Sequence, residues 1–499
     1  MTPSDRGETG EFLRAVALGM SVFLLVLLFF SPSWVAFRAW ARVPDVFSRS
    51  IPVARGAYAA MQLADPSVEI TEPVHRIVRW RLLMPVVGHY LGLPPWMVLG
   101  LSYVGCVAVL VLLIRLGRRR AYSWTECAML AVVMGAAGWF FTSTGWLGYY
   151  DSWLVLGLLI VAWARSRWLL WLACALTPWV DERFVLGFPL ALLVRWIDAS
   201  STAPAGHDTR WVLRDVLGAG FLVATYVALR LWLAGQGGSP SLAEYWTGVE
   251  STRVPRWRLL FGSWEGLRLG WIPVLLSPIL LFWRRRVLAA LLLALGVGGT
   301  VVAGLATAND LSRSMALVVP AVPLGWDLAR TRSQWTRWRL GPVLAALALL
   351  LPANHVISTF TVPVEQLWHE VRLLIDPPPP FSATAYEQEA ANAINQGDLG
   401  RAETLATIAT RLAPDAVSHN LRGVVMARQG RWADALQEFD AAVRADPLMT
   451  DALMNRARAR AARGDVAGAR QDAQRVRDLS APQSALATQA AEFLDATAR

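Results

Sequence analysis

The stretch VLAALLLALGVGGTVV, residues 287–302, follows three consecutive arginines at 284–286. It contains no charged side chain. The apolar segment that includes it is about as long as a helix must be to cross a bilayer, roughly 20 residues. Similar apolar runs occur at 22–30 and 107–114. The pattern predicts a helical protein embedded in a membrane.

The composition supports this prediction. Of the 499 residues, 55% are hydrophobic, whereas a soluble protein would have about 45–50%. The excess lies before residue 376, and the 25 tryptophans suit membrane interfaces. The net charge of +10 comes from arginines in short loops between apolar runs, so we predict no nucleic-acid partner. Cys106, Cys127 and Cys174 lie in apolar segments and match neither a disulfide framework nor metal-ligand spacing.

Arginine-rich loops predict the orientation, because cytoplasmic loops carry an excess of arginine and lysine. Five clusters are predicted to be cytoplasmic, at 115–120, 165–167, 195–214, 284–286 and 330–339. The apolar run from Phe12 to Phe30 has no clear cleavage site and is predicted to be an uncleaved first span. We therefore expect a multi-pass protein of the bacterial inner membrane with a cytoplasmic N-terminus and a periplasmic C-terminus.

About eleven spans are predicted. Those at 152–164, 168–180 and 184–197 are short for a bilayer, so we expect them to be tilted, bent or partly re-entrant. Residues 82–93 are interrupted by prolines and are predicted to be re-entrant or interfacial. The predicted spans are 12–31, 96–115, 126–143, 152–164, 168–180, 184–197, 213–234, 267–283, 287–307, 313–329 and 341–358.

Beyond Asp376, four prolines form a stiff spacer, and residues 376–381 are predicted to be a linker. A period of about 34 residues follows. Glycine recurs at 397, 430 and 464, alanine at 402, 435 and 469, and proline at 414, 447 and, one place late, 482. The middle unit also has Gly423, Phe439 and Ala442 in the expected places. Residues 382–499 resemble the tetratricopeptide-repeat (TPR) family, with three repeats and a capping helix.

The predicted fold class is therefore all-α: a polytopic transmembrane domain at 1–375, with a long first outer loop at 32–95, followed by a TPR α-solenoid. Repeats of this family usually bind a protein or peptide on a concave face. The alternative is a folded cap that only stabilises or spaces the membrane domain.

Polar residues cluster at the loops predicted to face outward. An ionisable residue at the end of a span suggests function, because its burial is costly. In Asp181-Glu182-Arg183, the arginine suits a phosphate and the carboxylates suit a sugar hydroxyl, although a solvated turn would also explain them. Helix capping explains Asp310 but not Arg313. Asp151, beside Tyr149 and Tyr150, suggests a sugar site, whereas the tyrosines alone would suggest an aromatic belt.

The first outer loop contains Asp45, Glu69 and Glu72, and an amphipathic stretch from Ile51 to Leu63 is predicted to lie on the membrane surface. His75 is more simply a surface residue than a catalytic base. Arg76, Arg79 and Arg81 lie in a loop predicted to face outward, whereas arginines are expected mainly in cytoplasmic loops. A nearby anion would explain their position.

Together, this loop, the spans, the outer C-terminal domain and the patterns at Glu72 to Pro85 and Asp181 to Arg183 resemble the GT-C superfamily of lipid-linked-sugar glycosyltransferases. The resemblance covers 1–375. It implies a polyprenyl-phosphate-linked sugar donor. We expect no cofactor, and no residue is predicted to be a metal ligand. It also implies that a carboxylate of the first outer loop is the catalytic base or positions the acceptor, a role that falls to Asp45, with Glu69 or Glu72 as alternatives. The implied substrate-binding residues are Arg81, Tyr150, Asp151, Asp181, Glu182, Arg183, Asp310 and Arg313.

A second hypothesis is a non-enzymatic scaffold, in which the membrane part anchors repeats that recruit envelope-assembly proteins. A transporter ranks third, since few charges lie at mid-membrane depth. The glycosyltransferase hypothesis requires the outer acids and arginines to converge on one cavity. If they are instead spread around the rim, the scaffold hypothesis is favoured.

Overall fold

The computed structural model describes residues 3–69, 79–202, 210–233, 254–307, 310–331, 341–358, 360–481 and 483–497. The chain divides into two compact units. The bundle unit comprises Met1–Trp34 and Arg49–Val371, and the repeat unit comprises Val35–Ser48 and Arg372–Arg499. The all-α class is confirmed. The strands found in the described residues form a short antiparallel hairpin, β1 (Asn354–Val356) with β2 (Thr361–Pro363), in which His355 faces Val362.

The helices of the first half of the chain are α1 (Pro3–Phe29), α2 (Trp34–Arg42), α3 (Pro44–Phe47), α4 (Ala54–Ala64), α5 (Leu83–Tyr90), α6 (Pro95–Arg119), α7 (Trp124–Gly135), α8 (Gly138–Gly145), α9 (Asp151–Trp163), α10 (Arg167–Leu176), α11 (Phe184–Thr202) and α12 (Arg210–Leu233). Those that follow, up to the repeats, are α13 (Arg256–Leu267), α14 (Trp271–Trp283), α15 (Val287–Thr307), α16 (Leu311–Ser314), α17 (Ala321–Arg330), α18 (Gly341–Leu350) and α19 (Leu367–Ile375).

The prediction of about eleven spans is not confirmed. Among the described residues, five helical segments are long and apolar enough to cross a membrane, and α7 with α8 forms one further bent pair at 68°. α9 has 13 residues and α18 has 10, which at 1.5 Å per residue give about 20 Å and 15 Å, short of a bilayer core of about 30 Å. The five segments are Glu8–Phe29, Pro95–Arg119, Arg214–Leu233, Arg256–Trp283 and Val287–Thr307.

Breaks in the helices explain the difference. The predicted span 313–329 is divided into α16, a 3-10 turn at Met315–Val318 and α17, with Pro320 between the last two. The predicted span 341–358 ends as a helix at Leu350, and Pro352 precedes the hairpin. Proline lacks the amide proton that a helix interior needs, so an apolar run containing it need not be one helix.

One face of helix α4, which was predicted to lie on a membrane surface, packs against other parts of the bundle unit. The amide of Leu147 donates to the carbonyl of Pro52 at 2.8 Å. A Cβ on Gly56 would lie 2.4 Å from Cβ of Leu147, and one on Gly148 would lie 2.6 Å from the backbone of Arg55. Gly148 also has φ +75°, which favours glycine. These close approaches fix the first turn of α4 against the loop before α9.

The C-terminal region is a solenoid of paired helices. The pairs are α20 (Ala383–Asn395) with α21 (Leu399–Leu412), α22 (Ala416–Arg428) with α23 (Trp432–Ala445), and α24 (Thr450–Ala462) with α25 (Val466–Leu479), followed by α26 (Ala485–Ala496). The repeating glycines have φ between +78° and +86° at the turns within each pair. Ala402, Ala435 and Ala469 are fully buried, and a Cβ on Gly423 would lie 2.5 Å from the Phe439 ring. Pro482 lies outside the described residues.

A segment from the first loop covers the start of this solenoid. Val43 and Phe47 are buried with Ile408 and Leu412 of α21. The ring of Phe47 lies 5.5 Å from that of Phe381, and Arg42 donates to the carbonyl of Leu412. Helices α2 and α3 therefore form the end cap of the repeats, although more than 300 residues separate them in sequence. Such a cap meets the general need of solenoid ends for a covered apolar face.

We expect Phe47→Ala in the full chain to destabilise this end of the solenoid by about 3 kcal/mol, because Phe47 is only 3% exposed and its loss leaves a cavity. Hydrogen exchange of the α21 amides measures the change as lost protection. Val46→Ala is the matched control, since Val46 is 39% exposed. Equal protection of α21 in the two variants would contradict the cap.

Candidate functional site

Asp151, the first residue of α9, is fully buried and accepts four hydrogen bonds. Oδ1 accepts from Nη2 of Arg183 at 2.5 Å and from Nη2 of Arg313 at 2.7 Å. Oδ2 accepts from Nε of Arg313 and from Oγ1 of Thr142, both at 2.6 Å. A buried carboxylate is stable only when it is paired and hydrogen-bonded, and Asp151 is both.

Asp181 holds the same arginines from the turn before α11. Its Oδ1 accepts from the amide of Arg183 at 3.0 Å and from Nε of Arg183 at 2.9 Å. Its Oδ2 lies 3.2 Å from Nη1 of Arg81 and 3.5 Å from Nη2 of Arg313. Burial alone would raise the pKa of Asp181, but Arg183 and Arg81 outweigh burial and hold the pKa well below its ordinary value.

Arg81 and Glu182 form the outer part of the arrangement. Nε and Nη2 of Arg81 donate to the two oxygens of Glu182 at 3.1 and 2.7 Å, a bidentate pair. The Glu182 side chain is 27% exposed, so this pair lies nearer to the surface than Asp151.

Asp310 links the arrangement to the β hairpin. Its Oδ2 lies 3.4 Å from Nη1 of Arg313, and its Oδ1 lies 3.0 Å from Nε2 of His355. The other ring nitrogen of His355 lies 3.2 Å from Oγ of Ser312, which accepts from the amide of Val356. Burial raises the pKa of Asp310, but His355 and Arg313 lower it by more. The pKa therefore lies below its ordinary value, and the carboxylate stays charged.

The structure therefore brings together seven of the predicted residues, which we call the ionic cluster. Their charges are satisfied mainly by one another: Arg313 donates through Nε and Nη2 to Asp151 and faces Asp310 through Nη1. Arg313 is therefore not a vacant phosphate ligand, and Arg183 has only Nη1 without a partner. The ionic cluster comprises Arg81, Asp151, Asp181, Glu182, Arg183, Asp310 and Arg313.

Two of the other predicted site residues, Tyr150 and Asp45, lie elsewhere. The hydroxyl of Tyr150 donates to the carbonyl of Val98 at 3.2 Å, within an apolar cluster. Asp45 belongs to the repeat unit, where its carboxylate is 88% exposed and 3.7 Å from Nη1 of Arg411. Glu72 lies outside the described residues, as does His75. The described residues contain no group of three His, Cys, Asp or Glu side chains placed to hold a metal ion.

Arg55 and His355 were not predicted from the sequence. Tyr149 was noted there, but not as a residue that contacts arginine. Cζ of Arg55 lies 4.1 Å and Cζ of Arg313 lies 4.4 Å from the centre of the Tyr149 ring. His355 fell within a stretch predicted to be helical, and Arg55 within a stretch predicted to be interfacial. No local sequence pattern marks either, because their partners are distant in the chain.

The repeats present a second polar arrangement along their first helices, α20, α22, α24 and α26. Oγ of Ser418 donates to Glu387 at 2.5 Å, and Nδ2 of Asn455 donates to Oδ1 of Asn420 at 3.0 Å. Nη2 of Arg458 donates to Gln489 at 3.0 Å. Each bond joins the first helices of successive repeats, so these helices line one continuous face. We call it the inner face.

The sequence profile of the tetratricopeptide repeat matches residues 388–448 and 421–484. The C-terminal region is therefore a TPR region, as its periodicity predicted. No curated protein matches the chain.

Among solved structures, the first TPR of Spaghetti (RPAP3) bound to the HSP90 peptide SRMEEVD is 24% identical, over 24% of this chain and 94% of that one, with a TM-score of 0.22. The TPR2B domain of yeast Sti1 in complex with an Hsp70 peptide is 20% identical, over 23% and 95%, with a TM-score of 0.23. Yeast Tom70 is 12% identical, over 78% and 95%, with a TM-score of 0.23.

We expect Asp151→Asn to lower the free energy of unfolding by about 3–5 kcal/mol, because it leaves two buried guanidinium groups without their shared carboxylate. Unfolding of the purified chain in mixed micelles measures the loss. Glu182→Gln is the control; its side chain is partly exposed, so we expect about 1 kcal/mol. A loss for Asp151→Asn no larger than that for Glu182→Gln would mean that Asp151 does not hold the cluster together.

Proposed function

We propose that this chain is a bacterial inner-membrane protein whose TPR region binds a polypeptide partner outside the cytoplasm, as a scaffold for envelope assembly. The observation that carries the proposal is the TPR region itself, with its continuous inner face. Repeats of this kind commonly use a concave surface for protein recognition.

The apolar surface of the bundle unit supports membrane insertion. On α15, Leu288, Leu291, Leu295 and Val302 are each more than half exposed. A soluble protein rarely exposes such a contiguous apolar patch, whereas a bilayer would cover it without cost. Arginine placement supports a cytoplasmic N-terminus and a periplasmic TPR region.

The chemistry of the inner face suits an extended polypeptide. Asn420 and Asn455 supply amide donors and acceptors that match a peptide backbone. Val417, at the start of α22, is 50% exposed and offers an apolar contact beside them. A surface with both kinds of group recognises main chain and side chain together.

A single cysteine tests both location and binding. We expect Val417→Cys to react with a membrane-impermeant maleimide added outside intact spheroplasts, and to be protected when the partner is bound. The native cysteines are all buried, so they give little background. Mass spectrometry of the labelled TPR region measures the reaction.

Leu448→Cys is the control, because Leu448 is 65% exposed in the turn between two repeats, away from the inner face. It should react equally with and without partner. Labelling of both sites only after the spheroplasts are lysed would reverse the proposed orientation. Equal labelling of Val417→Cys in partner-containing and partner-free cells would contradict binding at the inner face.

Transfer of a sugar from a polyprenyl-phosphate-linked donor, at the periplasmic face, is the second candidate function. The convergence of Arg81, Asp181, Arg183 and Arg313 with Asp151 at one place favours it over a purely spacing role. The mutual pairing of these charges weighs against it. In the GT-C resemblance, Asp45 or Glu72 would deprotonate the acceptor hydroxyl.

Asp45→Asn distinguishes the two candidates, because Asp45 is exposed and the change removes a base without disturbing packing. A transferase should lose about 10²–10⁴-fold of its transfer rate, with unchanged protein abundance. A scaffold should keep full complementation of a deletion phenotype with Asp45→Asn and lose it when residues 382–499 are removed. Full complementation by both Asp45→Asn and Glu72→Gln would exclude these acids as the base.

A further inference from the structure

Arg55 differs from the arginines of the ionic cluster. Each cluster arginine has a carboxylate within 3.5 Å. Within the described residues, no ion pair of 4 Å or less involves Arg55, and its Nε and Nη1 are buried without a hydrogen-bond partner. Nη1 of Arg183, in the cluster, is also buried and without a partner. A buried guanidinium without a counter-charge is costly, and among the described residues that of Arg55 lacks an anion.

The position of Arg55 is fixed by its surroundings. It is the second residue of α4, whose first turn is held by the contacts of Gly56 with Leu147 and of Gly148 with the Arg55 backbone. The Tyr149 ring covers one face of the guanidinium at 4.1 Å. Stacking of this kind leaves the N–H groups, which lie in the guanidinium plane, available at its edge.

The electrostatic surroundings of Arg55 also favour an anion. Burial lowers the pKa of Arg55 to about 10; Arg313 and Arg81 act in the same direction, whereas Tyr149 and Asp310 act against it. The side chain nevertheless remains a cation at neutral pH. The arginines of the ionic cluster are compensated by Asp151, Asp181, Glu182 and Asp310, whereas Arg55 has no ion pair of 4 Å or less within the described residues.

We propose that Arg55, stacked on Tyr149 beside the ionic cluster, is the binding group of a site for a phosphate-class oxyanion. Guanidinium groups pair strongly with phosphate through charge-assisted hydrogen bonds in the guanidinium plane. The phosphate belongs either to a lipid headgroup or to a free phosphate compound. This proposal holds whether or not the chain binds a peptide or transfers a sugar.

The test uses the purified full chain. In detergent, the thermal-unfolding midpoint is followed while inorganic phosphate replaces chloride at constant ionic strength. In parallel, the midpoint is compared in vesicles of phosphatidylcholine alone and with phosphatidylglycerol. Binding to the folded state raises the midpoint with ligand concentration. A rise with inorganic phosphate indicates a free-phosphate site, and a rise only with phosphatidylglycerol indicates a headgroup site. No rise in either arm would overturn the proposal.

Variants separate binding from a structural role. Arg55→Met removes an unpaired buried cation and keeps the length of the side chain, so the midpoint without ligand should stay the same or rise. Its response to phosphate or phosphatidylglycerol should be lost, and Arg55→Lys should retain part of it. Arg256→Gln, at an exposed arginine of the same unit, should change neither quantity. A full ligand response in Arg55→Met, or a lowered midpoint without ligand, would overturn the assignment.

Discussion

The carboxylate of Asp151, held between two buried guanidinium groups, is the interaction on which the bundle unit most depends. It joins the start of α9 to the turn before α11 through Arg183 and to α16 through Arg313. These are the ends of short or interrupted helices. Backbone groups at a helix end have no partner within the helix, and a short helix is only marginally stable by itself. Buried hydrogen bonds from both arginines to one carboxylate fix the relative position of these ends, which apolar packing, having no direction, would not do.

A second layer of ion pairs holds other helix ends of the same unit. Arg120 contacts Asp198 at 2.5 Å and Asp327 at 2.8 Å, and Asp327 also accepts from the hydroxyl of Tyr122 at 2.8 Å. Arg167 and Arg195 share Asp215. These arginines belong to clusters that sequence analysis explained by membrane orientation alone. Their partners show that the same side chains also join helices, a role compatible with orientation.

The sequence predicted what depends on local periodicity and missed what depends on distant partners. The TPR region follows from glycine, alanine and proline at fixed spacing, because each position meets a requirement within its own helix pair. The end cap formed by Val43 and Phe47 has no such signal, since its partners Ile408 and Leu412 are far away in the chain. The prediction of about eleven spans is not confirmed, because apolar composition does not say where a helix breaks, as at Pro320.

The candidate site also contains residues that were predicted correctly from a local pattern and residues whose surroundings depend on distant parts of the chain. Asp181, Glu182 and Arg183 were predicted from their adjacency, and they do lie together with Asp151, Asp310 and Arg313. Asp45 was selected by family resemblance, and it lies in the repeat unit beside Arg411. Resemblance assigns a role to a position in the sequence, but it does not supply the neighbours that give a carboxylate its chemistry.

The end cap also constrains the proposed membrane topology. Residues 35–48 and 372–499 form one compact unit, so both segments must lie on the same side of a membrane. The proposed membrane topology therefore requires an even number of crossings between Ser48 and Arg372. The five candidate spans among the described residues would give four crossings after the first, which is even. Counting the bent pair α7 and α8 as a sixth span would leave five and would separate the solenoid from its own cap. By this argument α7 and α8 enter and leave on one side, unless a shorter apolar helix such as α9 or α18 also crosses and restores an even number.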